Sequence, residues 1–341
     1  LIGELISKNA ERVDLLLKGS GRTSFSRQGD GRSPIGPVIR EYIVSEALHY
    51  LGIKSTRSLA IVSTGENVVR EKLIPGGILT RIASSHIRIG TFEYFYYNND
   101  LKSLKKLIEY TNQRHFTDET GKNPFESLLK AVIKCQARLI SKWMSIGFIH
   151  GVMNTDNTSI CGETIDFGPC AFMDHFNSNR VFSYIDHSGR YSYSNQGKVM
   201  LWNLSKFAEC LIPFLDVDSN KSKEKAIDCL NTFPNYFNKF WLKEMSKKIG
   251  ISNTKKEDQL LVDDLLKILS KENLDFTLSF RNLSKLDSKN NHVYFKKIRN
   301  KKEFGDWVDK WNDRLRYEKK EISKIKSGLN SVNPIYIPRN H

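Results

Sequence analysis

The chain has 341 residues, 39% of them hydrophobic and 27% charged, which is the balance of a globular protein with a sizeable core. It contains no run of about 18 apolar residues, so no membrane-spanning helix and no membrane partner are expected. Five scattered cysteines form neither a CxxC pair nor a zinc spacing, which argues against a disulfide scaffold or zinc module and reads as reduced thiols. The net charge is +15, and between Lys221 and His341 there are 27 basic and 16 acidic residues. No recognition motif accompanies that excess; it reads as solvated helix faces, with no nucleic acid expected as a partner.

In chain order, Val13 to Leu17 is a short apolar run that predicts a buried strand, delivering Lys18 at its end. Gly19 to Pro37 is a loop dense in Gly, Ser, Arg and Pro. Pro37 opens a helix with Val38, Ile39, Tyr42, Ile43, Leu48 and Leu51 roughly on one face, and Gly52 is its stop signal. Ser58 to Ser63 and Gly77 to Ile82 read as strands, with a turn at Thr64-Gly65-Glu66-Asn67 after the first. Phe92 to Tyr97 reads as an aromatic connector. Helices are expected over Asp100 to Thr111 and Phe125 to Ser145, the second stopped at Gly147. Asn157 to Asp166 reads as strand, turn at Gly162-Glu163, strand, with its two end residues side by side. From about Lys198 helices dominate, over 201–211, 237–249, 258–269 and 304–326. The fold class is α+β. Both ends read as truncated, so a lost leader peptide leaves no trace here.

The chemistry concentrates in His150-Gly151-Val152-Met153-Asn154-Thr155-Asp156-Asn157, followed nine positions later by Asp166-Phe167-Gly168. Kinase-like enzymes hold nucleotide-bound metal ions with a DFG aspartate and an upstream loop asparagine. Asn157 and Asp166 fit that pattern, since a hard divalent cation takes one or two protein oxygens and the rest from phosphate and water. The loop aspartate that serves as base in kinases is replaced by Val152; Asp156 is the neighbouring carboxylate able to accept a hydroxyl proton. Lys18 needs an acidic partner if buried. Glu41 and Glu46, on the helix after Pro37, are both candidates, with Glu41 preferred and nothing local choosing between them. The Gly19–Arg32 loop could bring backbone N–H groups to phosphate, and Arg81 and Arg88 could clamp phosphate oxygens. His150 reads as structural.

Several stretches together resemble the selenoprotein O family. They are Leu17-Lys18-Gly19 through Gly29-Asp30-Gly31-Arg32, Ile39-Arg40-Glu41, Ser45-Glu46-Ala47, Leu51-Gly52-Ile53, Ser85 to Gly90, Phe92 to Tyr97, Gly147 to Asn157, Ile165 to Pro169, His187 to Ser192, Asn195-Gln196 and Leu201 to Leu204. The likeness is dense to about Leu211, thinner beyond, and returns at Asn333-Pro334 and Arg339-Asn340. It implies a two-lobed protein-kinase-like fold, with a strand-rich N-lobe over 1–92 and a helical C-lobe over 93–341. ATP would bind in a reversed pose, and AMP would pass to Ser, Thr or Tyr hydroxyls of proteins, with Mg2+ or Mn2+ as cofactor. UTP with manganese is the related bacterial variant. Lys18, Asp30, Gly31, Arg81, Arg88 and Asp166 would correspond to nucleotide contacts, Glu41 to the lysine's partner, Asp156 to the proton acceptor, and Asn157 and Asp166 to the metal ligands. The family's first glycine-rich loop and its C-terminal redox region are not found in this chain, so impaired activity is expected of it. The alternatives are a non-catalytic nucleotide-binding fragment and a conventional phosphotransferase. The resemblance places the protein in a bacterial cytoplasm, or in mitochondria if eukaryotic.

Overall fold

The computed structural model describes residues 1–24, 26, 28–117, 121, 123–286 and 292–339. Its architecture is α+β, rich in strands near the N-terminus and in helices beyond. The chain forms two compact units, one from residues 1–139, 152–169 and 199–233, the other from 140–151, 170–198 and 234–341.

The first unit is organised by a five-stranded antiparallel sheet of β1 (Gly3–Ile6), β2 (Arg12–Lys18), β3 (Ser33–Pro34), β4 (Arg57–Val69) and β5 (Leu73–Ala83). The order is β1-β2-β5-β3, with β4 also on β5. The expected strand at 58–63 runs on to Val69, because the Thr64–Asn67 turn is absorbed as a register shift between Ser63 and Asn67, with Gly65 at φ 75°. In the β2–β5 pairing Lys18 lies opposite Leu79 and Leu16 opposite Arg81. Side chains alternate along a strand, so Asp14, Lys18 and Arg81 share one face of the sheet.

Helix α1 (Ile35–Tyr50) carries a buried stripe of Val38, Glu41, Val44, Ser45 and Leu48. Ile39, Tyr42 and Ile43, read from the sequence as part of its apolar face, are exposed instead. A helix repeats every 3.6 residues, and the i, i+3, i+7, i+10 stripe from Val38 puts a glutamate at its centre. The helix ends in a Schellman motif: Gly52, at φ 74°, donates to His49, and Ile53 donates to Leu48.

The aromatic run at 92–97 is a helix, α2 (Ile89–Tyr97), rather than a connector; the Thr91 hydroxyl accepts the Arg88 N–H at its start. Then come α3 (Leu101–His115), whose Asp100 cap accepts from Ser103, and α4 (Pro124–Ser145). The expected strand pair between Asn157 and Asp166 is not a ladder of its own. Its first arm bonds to Ile87 and Ile89, its second to Lys54 and Thr56.

In the second unit β6 (Phe148–Ile149) pairs with β7 (Ala171–Phe172). His150 is fully buried there; its N–H donates to Gln196 and its ring stacks on Trp143. The remaining helices along the chain are α5 (Gln196–Leu215), α6 (Ser219–Asn231), α7 (Phe233–Lys248), α8 (Asp258–Lys271), α9 (Phe276–Asn282), α10 (Lys301–Arg316) and α11 (Ile322–Val332). The helix expected over 304–326 is two, broken where Lys319 takes φ 50°. On α10, Phe304, Trp307 and Trp311 recur on one buried face and stack in series.

Candidate active site

Every charged group of the site lies in the first unit. Lys18, at the end of β2, donates Nζ to Glu41 Oε2 at 2.6 Å and to Asp166 Oδ1 at 2.9 Å. Arg81, two residues from Lys18's cross-strand partner and 1% exposed, donates Nε to Glu41 Oε1 at 2.9 Å and Nη2 to Asp166 Oδ1 at 2.7 Å, while Nη2 also meets Glu41 Oε1. Arg88, just before α2, places Nη1 2.9 Å from Asp166 Oδ2 and 2.8 Å from the Asp156 carbonyl. Three cations thus share two carboxylates, and the cluster carries one net positive charge.

The structure brings Glu41, not Glu46, to Lys18. Glu46 accepts Arg57 Nε and Nη2 at 2.8 and 2.7 Å instead. Burial alone would raise the Glu41 carboxyl, but Arg81 and then Lys18 more than offset it and hold it below the usual range. Burial likewise opposes ionisation of Asp166, yet Arg81, Lys18 and Arg88 hold it well below an ordinary carboxylate. For Arg81, desolvation is outweighed by Asp166 and Glu41, so its pKa is raised. All three groups are therefore ionised at neutral pH.

Asp166 itself has φ 64°, a left-handed conformation that costs a non-glycine residue free energy but that aspartate tolerates better than most. The backbone turn aims its carboxylate at the cations while Phe167 is buried. Arg40, which the sequence reading did not select, donates Nε to the Gly168 carbonyl at 3.1 Å and ties the DFG glycine to α1. Its signal was its place beside Glu41 on the helix.

Asp156 is exposed, in a short 3-10 turn over Thr155–Asn157. Its side chain lies against Gly90, where an added Cβ would fall 2.2 Å from Oδ1. Asn157 donates Nδ2 to the Val152 carbonyl at 3.0 Å, a bond that does not use its amide oxygen. Asn154, in the same loop, has a buried Oδ1 with no hydrogen-bond partner.

Asp30 and Gly31 belong to a closed loop rather than to the ionic cluster. Ser20 bridges to Arg32, and Gly21 donates to the Gly31 carbonyl at 3.1 Å. Asp30 accepts both Nη atoms of Arg70, whose hydrogen bonds, with that of the Arg32 N–H, lower its pKa to about 2. Gly31 sits at φ 68°, and a Cβ there would come within 2.0 Å of the Gly21 oxygen. Phe25 and Arg27 of this loop lie outside the described residues, as do Asn340 and His341.

Asn157 and Asp166 offer the oxygen donors that magnesium or manganese prefers. Among the described residues no group of three or more His, Cys, Asp or Glu is arranged to hold a metal ion. Such a pair suits an ion that draws its other ligands from phosphate and water. The donor chemistry fits.

Asp166, the DFG aspartate, is thus shared by a strand-end lysine and two arginines, which concentrates fixed positive charge around one carboxylate. The family description "Protein adenylyltransferase SelO" matches residues 1–341, and the chain belongs to this family of transferase-type enzymes. Among its relatives, the protein nucleotidyltransferase YdiU of Bradyrhizobium diazoefficiens is 46% identical over 345 residues, covering 100% of this chain and 70% of the relative. The YdiU proteins of Clostridium botulinum (strain Alaska E43 / Type E3) and Brevibacillus brevis are each 47% identical over 342 residues, covering 100% of this chain and 69% of theirs. Among the described residues no helix is long and apolar enough to cross a membrane.

Proposed function

We propose that the chain transfers AMP from ATP to Ser, Thr or Tyr hydroxyls of proteins, on a kinase-like fold with an N-lobe over 1–92 and a C-lobe over 93–341. The observation that carries this reading is the sharing of Glu41 and Asp166 by Lys18, Arg81 and Arg88. A group of fixed cations held by the buried Glu41 and the partly buried Asp166 is pre-organised for charge that develops on phosphate oxygens, and costs little reorganisation when the reaction occurs. Lys18 is the most exposed of the three and Arg81 the least. Lys18 and Arg88 therefore face the substrate, while Arg81 holds the two carboxylates in place.

Val152 offers no proton acceptor where kinases have one. Asp156 supplies it: Arg88 holds its backbone carbonyl and Gly90 leaves room for its carboxylate. The acceptor hydroxyl oxygen attacks the α-phosphorus and gives its proton to Asp156. The bond from the α-phosphorus to the oxygen bridging to the β-phosphate breaks, and pyrophosphate leaves. Asn157 and Asp166 would hold Mg2+ or Mn2+, which when bound neutralises phosphate charge. The Gly19–Arg32 loop, with Asp30 and Gly31, covers the nucleotide. UTP with manganese is the second donor to test, and a bacterial cytoplasm is the setting in keeping with the relatives.

Incubation of the protein with α-labelled and γ-labelled ATP, magnesium or manganese, and candidate acceptor proteins tests the reading. Label should reach protein from the α position only. Transfer from the γ position alone would mark a conventional phosphotransferase. ATP-dependent thermal stabilisation with no transfer would mark a nucleotide-binding fragment.

A further inference from the structure

The second unit contains a concavity of about 940 Å³, lined by Met144 and by residues between 237 and 259. One helical face of α7 supplies Phe237, Asn238, Trp241 and Leu242, at the i, i+1, i+4, i+5 spacing of one stripe. Met144 adds to its apolar lining. The segment leading into α8 supplies Ser252, Thr254, Lys255 and Lys256.

One property sets this cavity apart. Its lining includes four lysines, Lys239, Lys243, Lys255 and Lys256, and no aspartate or glutamate. Lys255 Nζ lies 5.9 Å from the Tyr317 ring, and among the described residues none of the four forms an ion pair.

An apolar interior and a cationic rim together match an amphiphilic anion. We propose that this cavity binds a long-chain aliphatic carboxylate, its chain against Met144, Phe237, Trp241 and Leu242 and its head among the lysines. The volume lies within the range of small-molecule sites. An extended peptide is the less suitable occupant, because it gains affinity by adding to a strand edge, and the lining segments are helix and turn.

Dodecanoate with a terminal bromine, kept below its micelle concentration, tests this directly, since bromine quenches a nearby indole. The expected result is saturable quenching that disappears in Trp241→Phe. Calorimetry should show dodecanoate bound at least tenfold more weakly by Lys243→Glu/Lys255→Glu, and dodecanol bound at least tenfold more weakly than dodecanoate by the unaltered protein. Both lysines are exposed, so the reversal should leave the melting temperature in place; Lys243→Ala/Lys255→Ala provides a milder second variant with an intermediate loss. Absence of saturable binding, binding indifferent to both lysine variants, or binding of an acidic, apolar-anchored peptide in place of dodecanoate would each overturn the proposal. None of these readouts depends on nucleotidyl transfer.

Discussion

Glu41→Gln is the most informative perturbation of the ionic cluster. The residue is 3% exposed and its carboxylate accepts from both Lys18 and Arg81. Breaking a buried pair by removing one partner costs about 3–5 kcal/mol when the other charge is left uncompensated. Here Arg81 keeps Asp166 Oδ1 at 2.7 Å and Lys18 keeps it at 2.9 Å, so neither cation is left uncompensated and the loss should fall below that range, at about 2–3 kcal/mol. The pH dependence fixes the sign. Glu41 ionises below its ordinary pKa of 4.5 in the folded chain. Its contribution is therefore complete above that value and is lost as pH falls through the folded one. Denaturant unfolding at pH 7 should show the full loss for Glu41→Gln. The gap to the unaltered protein should narrow below pH 4.5. A double-mutant cycle with Arg81→Met should return a coupling of about 1–3 kcal/mol. Stability within about 0.5 kcal/mol of the unaltered protein at pH 7, or a larger loss from Glu46→Gln, would refute the reasoning.

Asp156→Asn should lower transfer from α-labelled ATP by about 10²–10⁴-fold, with no change in melting temperature because the side chain is exposed. Gly31→Ala should weaken ATP binding at least tenfold, read by thermal shift, since the new Cβ would meet the Gly21 carbonyl and take a left-handed backbone; equal ATP affinity would remove this loop from the nucleotide site. Lys248 is fully buried, and desolvation lowers its pKa to about 7. Between that value and 10.5 the unfolded chain binds the proton that the native one lacks, so this group makes stability rise with pH, by at most about 1.4 kcal/mol per unit. Burial raises the thiols of Cys135, Cys161, Cys210 and Cys229, which acts in the opposite sense above about pH 9. Between about pH 7 and 8 the slope should therefore be smaller in Lys248→Met, and an equal slope in the two proteins would overturn the assignment.

What the sequence could and could not disclose follows from the range of the interactions involved. Lys18 was legible because an apolar run ending in a lysine is a local pattern, and the Gly52 stop because one left-handed residue closes the helix. The choice of Glu41 over Glu46 was not, since both sit on the same helix. It depends on Arg57 of β4 capturing Glu46 and on Arg81 of β5 lying on the Lys18 face of the sheet. The α2 helix was hidden by its aromatic content, although Thr91, three positions after Arg88, gave a capping signal. The pairing of Asn157 to Asp166 failed for a related reason. A turn at Gly162 is local, but its arms bond to Ile87–Ile89 and Lys54–Thr56, which no spacing within the segment could reveal. That outward pairing has a consequence for the site. It places Arg88 between two backbone bonds, Ile160 to Ile87 and Ile89 to Thr158, so the loop that carries Asp156 and Asn157 is registered directly on the arginine that reaches Asp166. The loop of Asp156 and Asn157 and the segment of Arg88 are thus one backbone-bonded piece, and a substitution that slipped this register would displace Arg88 and Asp156 together.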